Sequence, residues 1–224
     1  MNLGQLENLE NLIAEIRRVL SADDKTSLGN ALALEKEERL INEGKSRFDV
    51  IVFGDLNDFK RINDENTHDA GDLAIKVVGE TIRTTLIEGL KAEAYRQSGD
   101  EFIILLKEES LERFLLLTPS FGNITFSYKD KELNTAMSFG CARSDGKTSF
   151  RDLLERAEVA CQHAKVQGNG ACVEWTENIE LNQLVRISGS CQKCGARITC
   201  NVPQQNAPAK LKSCPCCGSS LVLP

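Results

Sequence analysis

Residues 94–106 read Ala-Tyr-Arg-Gln-Ser-Gly-Asp-Glu-Phe-Ile-Ile-Leu-Leu. Ala94–Gln97 and Phe102–Leu106 are strand-like runs, and the polar Ser98-Gly99-Asp100-Glu101 separates them. The stretch predicts a β-hairpin with an acidic tip. On its own such a tip is a solvated turn. A second acidic position gives it another meaning. Asp55 follows the β-branched apolar run Phe48–Phe53 (FDVIVF), which predicts a buried strand ending at Gly54-Asp55. If that strand neighbours the hairpin, the carboxylates of Asp55, Asp100 and Glu101 converge at one sheet edge. Convergent hard oxygens suit Mg²⁺ held together with phosphates. Gly99 lets a backbone pass close to a nucleotide without side-chain interference.

Outward from this centre the chain alternates helices and strands. Leu6, Leu9, Ile13, Ile16 and Leu20 alternate spacings of three and four and predict an N-terminal helix over 4–20. It either packs on its own domain or dimerises. Further helices are predicted over 31–43, 70–88, 110–117 and 149–167, the last with Ser149 as N-cap. Strands are predicted over 124–128, 135–142 and 171–175, with Lys129-Asp130 as a connecting turn. Residues 176–188 read as a linker with a helical turn. Helices and strands around one sheet indicate an α/β or α+β core.

Composition sets the frame. The chain has 224 residues, enough for one domain and a small appendage. With 41% hydrophobic and 27% charged residues it is of globular type rather than disordered. No apolar run reaches the length of a membrane span, and the N-terminus lacks a secretory pattern, so the expected location is the cytoplasm, away from membranes. The net charge of −6 is uneven: Arg186–Pro224 carries five Lys or Arg and no Asp or Glu, so that tail holds +5 and the rest of the chain −11. An acidic body repels nucleic-acid phosphate, while it can still bind a nucleotide through metal ions.

Read together, these segments resemble the GGDEF domain, the catalytic domain of diguanylate cyclases. Tyr95–Phe102 is similar to the signature turn. Asp55–Asp64 (DLNDFKRIND) resembles the DxDxFKxIND segment, and Thr67–Asp72 (THDAGD) the GHxxGD segment. Asp23–Asn30 is similar to DxLTGLxN, Thr135–Gly140 (TAMSFG) resembles TxSxG, and Ala157–Lys165 resembles the ADxALYxAK helix. The motifs run in order across residues 20–176. The resemblance implies a palm-like nucleotide-cyclase fold with a central, mostly antiparallel sheet flanked by helices. It implies condensation of two GTP to cyclic di-GMP by a homodimer with Mg²⁺ or Mn²⁺. Asp55 and Asp100 would hold the metal ions with the Leu56 carbonyl, and Glu101 would assist. Asn63 and Asp72 would read guanine. Phe59, Lys60 and Lys165 would contact the triphosphate, with Ser98 and Gly99 forming the turn beside it.

Departures from the pattern are specific. Ser98 replaces the first glycine of the signature, Asn57 the second Asp of DxD, and Thr67 a turn glycine. Asn169 stands where the family has a phosphate-binding Arg, and Ala31 where Arg is usual. Gly89 and Ala92 occupy the positions of the RxxD product-inhibition site, which is therefore expected to be missing. The alternatives to an active cyclase are a silent domain that binds GTP or a cyclic dinucleotide, and a related cyclic-oligonucleotide synthase.

Six of the nine cysteines crowd into Cys191–Cys217. Cys191-Gln192-Lys193-Cys194-Gly195 and Cys214-Pro215-Cys216-Cys217-Gly218 are two CxxCG knuckles. Two thiolate pairs give the four ligands of a structural Zn²⁺ site at Cys191, Cys194, Cys214 and Cys217. Cys200 and Cys216 are then small packing residues. Zinc ribbons bind proteins or nucleic acid. The expected organisation is an N-terminal helix over 1–20, a cyclase-like domain over 21–176, a linker over 177–189 and a zinc ribbon over 190–224.

Overall fold

The structure, a computed structural model, describes residues 12–13, 15–16, 19–181, 184–191, 193–194 and 197–203. A six-stranded sheet carries the fold, in the order β2 (Glu93–Ser98), β3 (Glu101–Leu106), β1 (Val50–Asn57), β5 (Lys131–Arg143), β4 (Ile124–Tyr128). These neighbours are antiparallel, and a short β6 (Cys172–Glu174) joins β5 in parallel. The expected mostly antiparallel α+β architecture is what the structure has.

Helices cover both faces of the sheet, so β1 is apolar on both sides. Val50, Val52 and Leu56 enter the core that also holds Ile75, Val78 and Ile82 of helix α3 (His68–Ile82). Ile51 and Phe53 point the other way, into a core shared with Leu34 and Ile41 of α1 (Ala31–Asn42) and with Leu153, Ala157 and Cys161 of α5 (Phe150–Gln167). By the same alternation Asp55 and Asn57 fall on the α5 side, at the strand's end. A short helix α2 (Phe59–Glu65) leads from β1 into α3, and α4 (Glu108–Leu117) closes the first core, where Phe114 and Phe121 meet Phe139 edge-on.

Most predicted elements are present, with displaced ends. Ser149 caps α5 by accepting from the Asp152 N–H at 3.2 Å, and Asn30 caps α1 by accepting from Ala33. Three differences stand out. α2 lies between the predicted strand 48–53 and the predicted helix 70–88, where no element is predicted. The helix predicted over 70–88 is α-helical only to Ile82, widens into a π-turn over Arg83–Ile87, and ends with Glu88–Leu90. The stretch read as linker contains α6 (Glu177–Leu181) and then β7 (Leu184–Ser190), which pairs antiparallel with β8 (Arg197–Pro203). The partner strand lies beyond the window in which a linker is judged. Of the N-terminal helix, residues 12–13, 15–16 and 19–20 are helical, and Leu12, Ile13, Ile16, Val19 and Leu20 are exposed rather than packed on the sheet domain. Among the described residues no helix is long and apolar enough to cross a membrane.

Candidate active site

The β1–β3 register sets Asp55 directly opposite Glu101, so the two acidic segments do meet at one sheet edge. The Leu56 N–H donates to the Asp100 carbonyl at 3.2 Å, which ties the hairpin tip to the end of β1. Gly99 sits at φ +41° in that tip. Arg96 holds the tip from below, donating from Nε and Nη2 to the Gly99 carbonyl at 3.0 and 2.9 Å. Its Nη1 pairs with Asp23 Oδ2 at 3.0 Å. Burial works to raise the Asp23 carboxyl, but the Thr26 hydroxyl and amide and Arg96 outweigh it and hold the carboxyl below its ordinary range. Asp23 and Arg96 are structural parts of the site that the sequence reading passed over. The signal was present, since both lie inside quoted motifs.

Asp55 is mostly buried. Burial pushes its carboxyl up, Lys165 pulls it down, and the Asp100 and Glu101 carboxylates push it up again. Lys165 Nζ of α5 lies 2.6 Å from Asp55 Oδ1. That ammonium partly offsets the cost of burying the Asp55 carboxylate. A desolvated carboxylate oxygen facing two further carboxyl groups fits a hard divalent cation. Among the described residues no three His, Cys, Asp or Glu side chains form a metal cage by themselves. A Mg²⁺ site of the phosphate-assisted kind uses only one or two carboxylates, and waters and phosphates complete it.

The remaining predicted residues divide by position. Ser98 donates to Glu101 Oε2 at 2.6 Å, so the residue in the glycine position orients an acidic side chain. Phe59 and Lys60 open α2, Phe59 half-buried and Lys60 exposed. Asn63 on α2 lies against α3 one residue before Asp72, since Asn63 Oδ1 occupies the space beside Gly71, 2.1 Å from where a Cβ would stand. Asp72 pairs with Lys25 at 2.5 Å. The two Asn departures also meet: Asn57 Nδ2 donates to Asn169 Oδ1 at 2.8 Å and to Ser138 Oγ at 2.9 Å. Ala92, in the position of the RxxD carboxylate, is buried. Cys191 and Cys194 lie between β7 and β8, the first buried and the second exposed. Cys214 and Cys217 lie outside the described residues.

Residues 20–171 match the family described as diguanylate cyclase, GGDEF domain. The diguanylate cyclase DgcP of Pseudomonas aeruginosa is 31% identical over 159 residues, covering 68% of this chain and 23% of that protein. The cyclic di-GMP phosphodiesterase NbdA of the same organism is 36% identical over 173 residues, covering 73% of this chain and 22% of that protein. The chain thus spans less than a quarter of the length of these relatives. In fold it is similar to the coiled coil and GGDEF domain of DgcB from Caulobacter crescentus in complex with c-di-GMP. The TM-score is 0.64 at 22% identity, over 76% of this chain and 94% of that one. It is likewise similar to diguanylate cyclase SiaD of Pseudomonas aeruginosa, solved with its activator SiaC, with a TM-score of 0.66 at 22% identity over 76% of this chain and 67% of that one.

Proposed function

The chain belongs to the GGDEF diguanylate cyclase family, and we propose that it is an active member, condensing two GTP into cyclic di-GMP when two copies meet. The observation that carries the reading is Asp55 opposite Glu101 at one sheet edge, with Lys165 Nζ 2.6 Å from the buried Asp55 carboxylate. Asp55 and Asp100, with the Leu56 carbonyl, would hold two Mg²⁺ or Mn²⁺ ions, and Glu101 would assist. Bound there, the ions would lower the pKa of a 3′-hydroxyl attacking the α-phosphate and neutralise the pyrophosphate that leaves. Asn63 and Asp72 bind the guanine edge, the carboxylate accepting from its two N–H donors. Lys165 exchanges its Asp55 contact for the triphosphate, and Phe59 and Lys60 flank the phosphates beside Ser98 and Gly99. Each copy supplies one half-site, so turnover rises steeply with protein concentration. Gly89 and Ala92 offer neither cation nor carboxylate, so product feedback at that position is absent.

The C-terminal segment is proposed as a zinc ribbon over 190–224, with Cys191, Cys194, Cys214 and Cys217 as ligands. It is supported by the first CxxC pair lying in the connection of the β7–β8 hairpin. A closed Cys₄ site has no open position, so this metal serves folding, and the basic ribbon engages a protein or nucleic-acid partner. A second reading is favoured by Asn169, an uncharged amide engaged with Asn57 where the family has Arg. In it the domain binds GTP or a cyclic dinucleotide without turnover and signals through the ribbon.

The deciding experiment incubates purified protein with GTP, ATP and Mg²⁺ and resolves products by mass spectrometry. Cyclic di-GMP is expected, and Asp100→Ala should abolish it. GTP binding without turnover at high protein concentration selects the silent domain. A mixed or adenine-containing product selects a different synthase.

A further inference from the structure

Beside the two proposed base readers stands a cation that the motifs do not provide for. Lys25 Nζ contacts Asp72 Oδ1 at 2.5 Å, with 38% and 52% of the two side chains exposed. An ion pair that wet contributes little to stability. Its position, however, is built. Asp23 accepts from the Thr26 N–H at 2.9 Å and from the Thr26 hydroxyl at 2.7 Å, and the Ser27 N–H donates to the Asp23 carbonyl at 2.9 Å. Ser27 takes φ +57° to close the turn. Arg96 clamps Asp23, Leu28 is buried in the core, and the Thr26 side chain fills the notch at Gly79 on α3. Lys25 therefore projects from a turn anchored on both sides of it. Asn63, the other proposed base reader, is held against Gly71, the residue before Asp72 on α3, so the ammonium, carboxamide and carboxylate come from three neighbouring segments.

That set is complementary to one purine edge. Guanine presents a 6-oxo acceptor, then the N1–H and 2-amino donors. Adenine presents a 6-amino donor and an unprotonated N1. A carboxylate satisfies the two guanine donors, and a cation already resting on that carboxylate lies one side-chain rotation from the adjacent acceptor. We infer that Lys25 is a specificity-determining residue of the base site, donating to the 6-oxo oxygen of guanine while Asp72 accepts from N1–H and the 2-amino group. The inference rests on the proposed reading of Asp72 as a base reader. It adds a second level of rejection, since adenine sets its 6-amino group against an ammonium and its bare N1 against a carboxylate. Sites that hydrogen-bond a ligand group discriminate strongly against ligands lacking it.

The test is calorimetric binding of α,β-methylene GTP, which cannot be cleaved at the reacting phosphate, of its 6-thio counterpart, and of α,β-methylene ATP. The 6-thio base keeps N1–H and the 2-amino group but offers sulfur, a weak acceptor, at position 6. The 224-residue wild type, Lys25→Met and Asp72→Ser are compared with Mg²⁺ present. Wild type should prefer the oxo analogue, and Lys25→Met should weaken it about tenfold while leaving the thio analogue within about twofold, as expected for one charge-assisted hydrogen bond. Equal weakening of both analogues would assign Lys25 to the phosphates and overturn the inference. Tighter binding in Lys25→Met would make Lys25 a plug on Asp72 and overturn it as well. If Asp72→Ser retains guanine over adenine, or wild type binds neither analogue, the reading of the base site fails and the inference fails with it. An intact Asp72 effect beside a silent Lys25 overturns the inference alone.

Discussion

Asp55 sits where its surroundings oppose its charge. Burial is the largest cause, the Asp100 and Glu101 carboxylates add to it, and Lys165 offsets them. Such a group disfavours the metal-free fold and is the group a divalent cation relieves. Asp55→Asn should therefore melt as high as the parent or higher in metal-free buffer, while Mg²⁺ with GTP no longer raises its melting temperature. Scanning fluorimetry measures both, and a lower melting temperature would mean that the Lys165 pair is a net structural contact. Asp23 is the opposite case. Its folded carboxyl lies below the ordinary value of 3.8, so its stabilisation is present above that value and is lost as pH falls through the depressed one. Asp23→Ala should cost about 1–3 kcal/mol at pH 7 by leaving Arg96 and Thr26 without their acceptor. Denaturation midpoints of parent and variant should begin to converge as pH falls below 3.8 and meet only below the depressed folded value, where both lack the charge. Asn57 and Asn169 illustrate paired departures. A neutral amide pair stands where the family pattern has an acid and a base, and the two side chains bond to each other.

Helix α5 delivers Lys165 to the acidic edge, and what sets its height over the sheet is Gly140 on β5. A Cβ there would stand 2.1 Å from the Ala157 carbonyl oxygen and 2.1 Å from the Cys161 nitrogen, both backbone atoms that cannot rotate away. Cys161 Sγ also donates to the Ser138 carbonyl at 3.3 Å, and burial pushes its thiol up to about 12, so it acts as an inert packing group. Gly140→Ala should lift α5 and cost on the order of 1–3 kcal/mol, as overpacking of a tight core does. Urea denaturation reads the loss, and weakened GTP binding in the same variant reads the displacement of Lys165. Unchanged stability would mean that α5 slides at no cost. The π-turn at Arg83–Ile87 has a local cause. The Thr81 and Thr84 hydroxyls donate back to the Val77 and Glu80 carbonyls at 2.9 Å each, competing with the helix ladder. Hydrophobic spacing reports which face is buried but is insensitive to that competition, so the sequence reading ran the helix on to residue 88.

Across the whole molecule two chemistries are joined. The sheet domain has its own two-sided core, and the basic cysteine-rich tail depends on metal in the proposed reading. Metal binding by comparable zinc peptides is worth roughly 10–16 kcal/mol, most of the folding free energy of so small a unit. Elemental analysis is expected to find one Zn²⁺ per chain. A chelator should expose the tail to protease and leave a stable fragment ending near residue 180, with the main melting transition unmoved. Absence of zinc from reduced protein would remove the site. Collapse of both transitions together would mean that the β7–β8 hairpin is integral to the cyclase domain. The exposed Leu12, Ile13, Ile16, Val19 and Leu20 give the N-terminal helix an uncovered apolar face, which supports a dimer built there.

The elements and the inventory of the candidate site are legible in the chain itself. The acidic tip at Asp100-Glu101, the apolar run leading to Asp55, the Ser149 cap and the order of the motifs are local patterns of burial and turn chemistry, legible because each depends on neighbours in the chain. The tertiary structure decided which of these meet. That Asp55 faces Glu101, that Arg96 supports the tip from Asp23, that Lys165 rests on Asp55 and that Lys25 rests on Asp72, 47 positions away, follow from strand register and from helices packed on a sheet. Register is a cooperative property of the assembled sheet, strongly specified wherever a face is buried, and no single window of residues contains it.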